Sequence, residues 1–267
     1  MPLAACLRRL HPRAQDLGQD YEVIVSDDSR DTITEQLLAR QFPWVKYTRG
    51  PRRGPAANRN SAARCATGDV FFFIDDDCVP DERWLREFLD ASVADGCVFE
   101  GRTLPLGNIR SPLEHVPVNT EGGYLWSCNF AIRATDFGAI GGFDETFPYA
   151  AMEDIDLRRR VLRFGLRLHF VSSAIVFHPP RRIDDPNHAR RAYLSYCYLQ
   201  SKDGIARPTL AQSVKDHTRM RVRQMFQYPL HRDVFHAAWL TLREPLAIAR
   251  AFRDWDRLGL KALTPLV

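Results

Sequence analysis

The chain has 267 residues, of which 45% are hydrophobic and 26% are charged, and these proportions are typical of a globular protein. They exclude a chain dominated by low-complexity sequence, and the sequence contains no uninterrupted apolar stretch long enough to span a bilayer. The N-terminus lacks the ordered regions of a signal peptide, and the six scattered cysteines show no metal-ligand spacing. We therefore expect an intracellular, cytoplasmic protein with free thiols.

The net charge of +4 is unevenly distributed along the chain. Residues 179–267 contain 16 basic and 8 acidic side chains, whereas residues 1–178 contain 21 basic and 25 acidic ones. An acidic first part followed by a basic tail indicates two functions in one chain. We predict a catalytic domain over residues 1–182 and a helical, basic region over residues 183–267.

The first part of the chain alternates between helical and strand patterns. In chain order, the predicted elements are a helix at 3–10, a strand at 21–26, a helix at 32–41, a strand at 45–47, a helix at 56–66 and a strand at 70–74. This alternation predicts an α/β fold with a mostly parallel sheet flanked by crossover helices.

The later elements are a helix at 83–94, a strand at 98–103, a loop at 105–123, a strand at 129–132, a helix at 134–140, a helix at 152–164 and strands at 168–171 and 174–178. The tail is predicted to form long helices at 187–203, 209–227, 231–243 and 245–258, broken at Pro208, Pro229 and Pro245.

The clearest chemical signal is the apolar run at residues 70–74, which leads directly into Asp75, Asp76 and Asp77. A continuous apolar run is typical of a strand buried on both faces, and ligands bind beyond the carboxyl ends of parallel strands. Three adjacent carboxylates repel one another, and Mg²⁺ or Mn²⁺ would compensate them, because both ions prefer oxygen ligands. The alternative is a solvated acidic turn.

Four motifs over residues 3–180 resemble, in the same order, those of the family 2 glycosyltransferases, which are inverting enzymes with the GT-A fold. The matching segments are the strand at 21–29 with Asp27 and Asp28, the helix with Arg59 and Asn60, the acids at 75–77, and residues 141–145 followed by Glu153 and Asp154. An acid triplet alone is weak evidence, whereas four ordered motifs are strong evidence.

The chain departs from this family at its start. Family members usually open with an apolar strand, whereas this sequence begins in what the pattern predicts to be a helix. The resemblance therefore implies a GT-A fold whose first strand is missing, followed by a C-terminal helical extension. A missing strand would remove part of the nucleotide pocket, so an inactive sugar- or nucleotide-binding homologue is one alternative.

The resemblance implies transfer of a sugar from a nucleotide-diphosphate sugar to an acceptor hydroxyl. Asp154 is the implied catalytic base, and Glu153 would orient the acceptor; the alternative is that both are ordinary helix N-terminal acids. The implied metal ligands for Mg²⁺ or Mn²⁺ are Asp77, Asp75 and His178. The implied donor-binding residues are Asp28, Arg59, Asp75 and Arg181.

Several of these roles have structural alternatives. Asp76 points away from its neighbours in an extended chain, so a salt bridge or cap is the favoured interpretation. His178 can equally be a structural histidine, and Arg59 is expected to brace Asp28 and Asp75 rather than to reach the diphosphate. A different enzyme class is also compatible with the acid triplet, because Asp75, Asp77 and Val79 fit the nucleophile motif of haloacid-dehalogenase-like phosphatases.

The expected partners are a nucleotide-sugar donor and a glycan or lipid-linked acceptor in the synthesis of cell-surface polysaccharide or glycolipid. No nucleic acid partner is expected. The basic tail is compatible with peripheral contact at the inner face of a membrane, with completion of the acceptor site, or with dimer formation. The simplest interpretation is amphipathic packing against the catalytic domain.

Overall fold

The computed structural model describes residues 2–15, 17–18, 20–91, 96–147 and 149–263. The helices are α1 (Pro2–Arg9), α2 (Pro12–Gln15), α3 (Ile33–Gln41), α4 (Pro55–Cys65), α5 (Trp84–Asp90), α6 (Ala134–Ala139), α7 (Glu153–Arg163), α8 (Pro186–Lys202), α9 (Leu210–Gln227) and α10 (Asp233–Leu258), followed by a 3-10 helix at Gly259–Leu263. The strands are β1 (Ile24–Asp27), β2 (Lys46–Arg49), β3 (Val70–Ile74), β4 (Val79–Pro80), β5 (Cys97–Pro105), β6 (Glu114–His115), β7 (Asn129–Arg133), β8 (Arg167–His178) and β9 (Arg181–Arg182).

The chain divides into two compact units. The first contains Met1–Leu106, Pro117–Glu145 and Glu153–Pro179, and the second contains Gly107–Val116, Thr146–Met152 and Pro180–Val267. The predicted functional boundary between residues 182 and 183 stays a prediction. Within the described part of the chain, none of the helices combines the length and the apolar character that a membrane crossing requires.

The α/β class is confirmed. The sheet was expected to be mostly parallel, but most of the strand pairs in the larger sheet are antiparallel. The first unit has a five-stranded sheet in the order β3-β7-β5-β8-β4 and a separate parallel pair, β1-β2. In the larger sheet β5 and β8 run parallel, whereas β7 pairs antiparallel with both β3 and β5. The reason is that β7 returns through the middle of the sheet after the long connection from β5, a reversal that the alternating pattern of the first 74 residues does not reveal.

The chain enters the fold in α1, as the sequence predicts. This helix buries Leu3 and Leu7 in a cluster with Leu38 and Phe42, and it buries Cys6 in a second cluster beneath the five-stranded sheet. Among the described residues, β1 and β3 each have a single ladder partner.

Strand β3 lies between two apolar layers, which explains its continuous hydrophobicity. On one face Phe73 stacks on Phe130, with ring centroids 4.7 Å apart. On the other face Phe72 meets the rings of Trp84 and Phe88. Because aromatic rings fix the strand on both sides, the three acids that follow Ile74 start from a rigid position.

Three local predictions require correction. The two strands expected at 168–171 and 174–178 form one strand, β8, because an irregularity opposite Gly101 and Arg102 absorbs the extra residues. The loop expected at 105–123 contains β6, which pairs with β9. The helix break expected at Pro245 does not occur, because buried residues on both sides of this proline hold α10 in one piece. The end of the helix expected at 83–94 lies outside the described residues.

Candidate active site

The acid triplet lies at the carboxyl end of β3, and the short strand β4 brings a histidine beside it. Strand β4 pairs antiparallel with the end of β8, with Val79 opposite Phe177. The next residue of β8, His178, therefore lies near the triplet. Its Nε2 atom is 3.7 Å from Oδ1 of Asp77 and 4.0 Å from Oδ2 of Asp75.

The contacts of His178 orient its ring towards these carboxylates. Its Nδ1 atom is 2.8 Å from the carbonyl oxygen of Pro179, and a carbonyl can only accept a hydrogen bond. The proton of the neutral ring is therefore assigned to Nδ1, which leaves the lone pair on Nε2. The side chain is 2% exposed. A neutral imidazole whose second nitrogen donates to a backbone carbonyl is the arrangement commonly seen in metal ligands.

Within the triplet, the three acids differ in their exposure. Asp75 and Asp77 are partly buried, whereas Asp76 is exposed to solvent. Cys78 is fully buried beside them and lies close enough to be part of a metal cluster with Asp77 and His178. However, a hydrogen bond with Cys128, together with burial, raises the pKa of the Cys78 thiol well above its usual range. A neutral thiol is a poor ligand for Mg²⁺ or Mn²⁺, so the oxygen and imidazole donors form the better set.

Arg59 connects the triplet to the second pair of predicted catalytic acids. Its Nη2 atom donates to Asp75 at 2.7 Å, and its Nη1 atom donates to Glu153 at 3.2 Å. Burial alone would lower the pKa of this guanidinium, but the carboxylates of Asp75 and Glu153 raise it, so Arg59 stays charged. Arg59 therefore braces Asp75, as expected. Its second described hydrogen bond goes to Glu153 and not to Asp28.

The acids at the start of α7 occupy an environment that raises their pKa values. Burial, followed by the repulsion of the Glu153 carboxyl group, raises the pKa of Asp154 to about 7. Burial also raises the pKa of Glu153, although Arg59 opposes that shift. The buried Oε2 atom of Glu153 has no hydrogen-bond partner in the described part of the protein. A carboxyl group with a pKa of about 7, such as that of Asp154, is suited to proton transfer near neutral pH.

The loop before α7 is fixed by the neighbour of Arg59. The side chain of Asn60 donates to the carbonyl oxygen of Phe143 at 2.8 Å and accepts from its backbone N–H at 2.9 Å. Gly142 has φ of 64°, and a Cβ atom there would lie 2.7 Å from Oδ1 of Asn60. The pair Arg59–Asn60 therefore holds both a triplet acid and the loop that leads to the predicted catalytic acids.

A second brace holds the same loop from α7. Arg160 donates to Asp156 at 2.7 Å and to the carbonyl oxygens of Ile140 and Gly142 at 2.8 and 2.6 Å. Asp156 is thus an arginine partner within α7. The role of Arg160 was missed, because one of four arginines in the same helix carries no sequence signal for loop binding.

Asp28 and Arg181 are the remaining predicted donor-binding residues. Asp28 follows β1 and accepts a hydrogen bond from the backbone N–H of Arg52 at 2.9 Å. Gly50 approaches it so closely that a Cβ atom would lie 2.1 Å from its Oδ1 atom. Arg181 belongs to the second unit, where it is exposed in β9 opposite His115. Both roles stay predictions.

The sequence matches a known family over its first part. A family model described as "Glycosyl transferase family 2" matches residues 2–115. This span includes Asp28, Arg59 and the acid triplet. The first part of the chain is a glycosyl transferase family 2 domain. The family relationship argues against the phosphatase interpretation of Asp75.

Curated relatives of this family 2 domain are named as glycosyltransferases. The pre-mycofactocin glycosyltransferase of Mycobacterium tuberculosis is 33% identical over 199 residues, which cover 67% of this chain and 41% of that protein. The validoxylamine A glucosyltransferase of Streptomyces hygroscopicus subsp. jinggangensis is 26% identical over 193 residues, covering 55% of this chain and 45% of that protein. The chain therefore spans less than half the length of these relatives.

Solved structures confirm the GT-A fold. A crystal structure of GalNAc-T7 with UDP, GalNAc and Mn²⁺ matches with a TM-score of 0.51 and 16% identity, covering 67% of this chain and 41% of that one. The structure of S. aureus TarS matches with a TM-score of 0.51 and 17% identity, covering 85% of this chain and 41% of that one. These similarities concern the fold alone.

Proposed function

We propose that this family 2 domain transfers a sugar from a nucleoside-diphosphate sugar to an acceptor hydroxyl, with inversion at the anomeric carbon. The observation that carries the proposal is the position of Arg59, whose guanidinium group binds both Asp75 and Glu153. One buried side chain thus joins the acids suited to a cation with the acids suited to proton transfer. A leaving diphosphate and an attacking hydroxyl require these two groups at a single reaction centre.

Asp75, Asp77 and His178 fit a divalent cation. One oxygen atom of each carboxylate lies within 4.0 Å of the Nε2 atom of His178, and carboxylate and imidazole donors suit Mg²⁺ or Mn²⁺. The cation, when bound, supplies positive charge for the diphosphate leaving group. Arg59 keeps Asp75 in place through the hydrogen bond from its Nη2 atom.

Asp154 is the proposed catalytic base. With its pKa near 7, the carboxylate is available at neutral pH and still basic enough to take the proton of an attacking hydroxyl. Glu153 would accept a hydrogen bond from the acceptor through its buried Oε2 atom, which has no other partner among the described residues. A base on one side and a leaving diphosphate on the other support a single displacement with inversion.

The donor and acceptor are proposed by class only. Asp28 would contact the nucleotide base, and Arg181 would contact the diphosphate, because a guanidinium group binds phosphate oxygens well. The acceptor would be a glycan or a lipid-linked hydroxyl in the synthesis of cell-surface polysaccharide or glycolipid. We place this reaction in the cytoplasm, at the inner face of the membrane.

The variant Asp154→Asn tests the assignment of the base. We expect it to reduce the release of nucleoside diphosphate from the accepted sugar nucleotide by at least about 100-fold, since general-base catalysis contributes about 10²- to 10⁴-fold. Binding of that donor, measured by calorimetry, should change little. The exposed acid Asp90 is the control, and Asp90→Asn should leave both measurements unchanged. Equal loss of binding and turnover in Asp154→Asn would refute the assignment.

A further inference from the structure

One face of α10 carries large apolar side chains that the second unit does not bury. Phe235, Trp239, Leu242 and Leu246 are 83%, 42%, 77% and 59% exposed. Their spacing of four, three and four residues places them in one line along the helix. Single exposed apolar residues are common, whereas a continuous row of four on one helix is typical of an interaction surface.

These side chains are not part of the core of the second unit. The opposite face of α10 buries Ala237, Leu240, Ile248 and Ala251. Two further large apolar side chains just before α10 are also exposed, Leu230 at 99% and Phe226, near the end of α9, at 77%. Helix α10 is therefore apolar on both faces over its first half.

The outer face becomes basic in the second half of the helix. Arg250, Arg253 and Arg257 follow Leu246 at intervals of four, three and four residues, and all three are exposed. The row of aromatic and aliphatic side chains thus continues directly into a row of guanidinium groups.

Two of these arginines line a pocket of about 570 Å³ together with Arg207. Pro208, Leu210 and Phe252 contribute apolar walls to the same pocket. The guanidinium group of Arg207 lies 4.6 Å from the ring centroid of Phe252 and is hydrogen-bonded to Asp256, which also lines the pocket. Guanidinium groups around an apolar floor suit an anion attached to an apolar body.

We propose that the outer face of α10 docks on a bilayer that contains anionic phospholipids. The row from Phe235 to Leu246 enters the interface between headgroups and acyl chains, and Arg253 and Arg257 bind headgroup phosphates. Along one face of α10, apolar side chains are followed by basic ones. This order favours an anionic bilayer as the partner, because the apolar side chains match its acyl region and the basic ones match its negative charge. The inference concerns the second unit and goes beyond sugar transfer.

Vesicle co-sedimentation of the full chain tests the proposal. We expect binding to phosphatidylcholine vesicles that contain phosphatidylglycerol, weaker binding to phosphatidylcholine alone, and a loss of binding as salt is raised. The double variant Leu242→Gln/Leu246→Gln should weaken binding to both kinds of vesicle by about tenfold or more. The double variant Arg253→Gln/Arg257→Gln should instead remove the preference for phosphatidylglycerol.

The control replaces two exposed apolar residues of the first unit, Leu162→Gln/Phe164→Gln, and should bind like the unchanged protein. Circular dichroism verifies that each variant is folded. The proposal is overturned if the protein binds neither vesicle, or if all variants bind equally. It is also overturned if light scattering shows a dimer that Leu242→Gln/Leu246→Gln dissociates, because the face would then join two copies. Vesicle binding needs no donor sugar, so its failure is separable from failure of sugar transfer.

Discussion

At the scale of single residues, the proposed chemistry depends on the surroundings of two neighbouring carboxyl groups. Asp154 and Glu153 are adjacent at the start of α7, where Glu153 is buried and Asp154 is partly buried. Burial removes water from both carboxyl groups. Among the described contacts, the guanidinium group of Arg59 donates a hydrogen bond to Glu153 but not to Asp154. The pKa of Asp154 is therefore raised to about 7, which suits a base at neutral pH.

The pH dependence of transfer follows from this environment. The base acts in its deprotonated form, and its pKa is raised from 3.8 to about 7, so activity should be low in acid and rise through pH 7 to a plateau. In Glu153→Gln the like charge is removed, and the rise should move to lower pH. Steady-state rates across pH 5–9 on one donor check both expectations. A rise near pH 4 in the unchanged protein would contradict the assignment.

Gly142 offers a test of the loop that leads to α7. An alanine there would be strained by the positive φ and would also meet Oδ1 of Asn60 at 2.7 Å and the Phe137 ring at 3.1 Å. We expect Gly142→Ala to lower the free energy of unfolding by more than the roughly 1–2 kcal/mol of a left-handed residue, and to reduce transfer.

Gly141 is the matched control, because its φ of 79° is similar and nothing lies within 4 Å of a Cβ atom there. Gly141→Ala should show the backbone cost alone. Urea unfolding of the two variants measures the difference. Equal destabilisation would mean that the contact between Asn60 and the loop does not constrain position 142.

The sequence predicted most of these residues but not what joins them. The acids were visible because strand ends and helix starts carry recognisable patterns around Asp75, Asp77 and Asp154. The bond from Arg59 to Glu153 was not visible, because 94 residues separate them and no periodicity encodes that distance. The role of Cys78 was equally hidden, since burial rather than spacing places it beside the acids.

At the scale of elements, short strands and long helices differ in how far the sequence reveals them. Helices α3, α4, α8 and α9 follow their apolar patterns and capping signals closely. Strand β4 has only two residues, yet it sets His178 beside Asp77 through its pairing with β8. No sequence pattern marks a two-residue strand, because its formation depends on the partner that it meets.

Helices α9 and α10 are joined by a buried ion pair that gives a further prediction. Glu244 is fully buried and accepts hydrogen bonds from Arg221 and, at 2.9 Å, from His217. Burial alone would raise the pKa of Glu244, but His217 and Arg221 lower it from 4.5 to about 2. The charged form of Glu244 therefore stabilises the fold above pH 4.5, and this contribution is lost as the pH falls through about 2.

We expect Glu244→Gln to lower the free energy of unfolding by about 3–5 kcal/mol at pH 7, because it leaves Arg221 buried without its charged partner. The difference from the unchanged protein should shrink as the pH falls below 4.5. Urea unfolding at pH 7 and pH 3 measures it, and the exposed Glu35→Gln on α3 serves as the control. A difference that grows in acid would contradict the account.

At the scale of the whole molecule, the first part of the chain, over residues 2–115, matches glycosyl transferase family 2, and the second unit carries the long helices. The sequence predicted this order of elements because hydrophobic period and charge both change near residue 180. It did not predict that β7 would run antiparallel between β3 and β5. Strand order depends on long-range pairing, and the local pattern of β7 is the same in either direction.

The central claim is that Asp77 and its neighbours hold a divalent cation that binds a nucleoside diphosphate. Calorimetric titration with UDP, GDP and dTDP, each with Mn²⁺ and with a chelator, tests it most directly. We predict that at least one nucleotide binds only with Mn²⁺, that Asp77→Asn weakens this binding by about tenfold or more, and that the exposed Asp76→Asn does not. Equal nucleotide affinity with and without Mn²⁺, unchanged in Asp77→Asn, would contradict the claim.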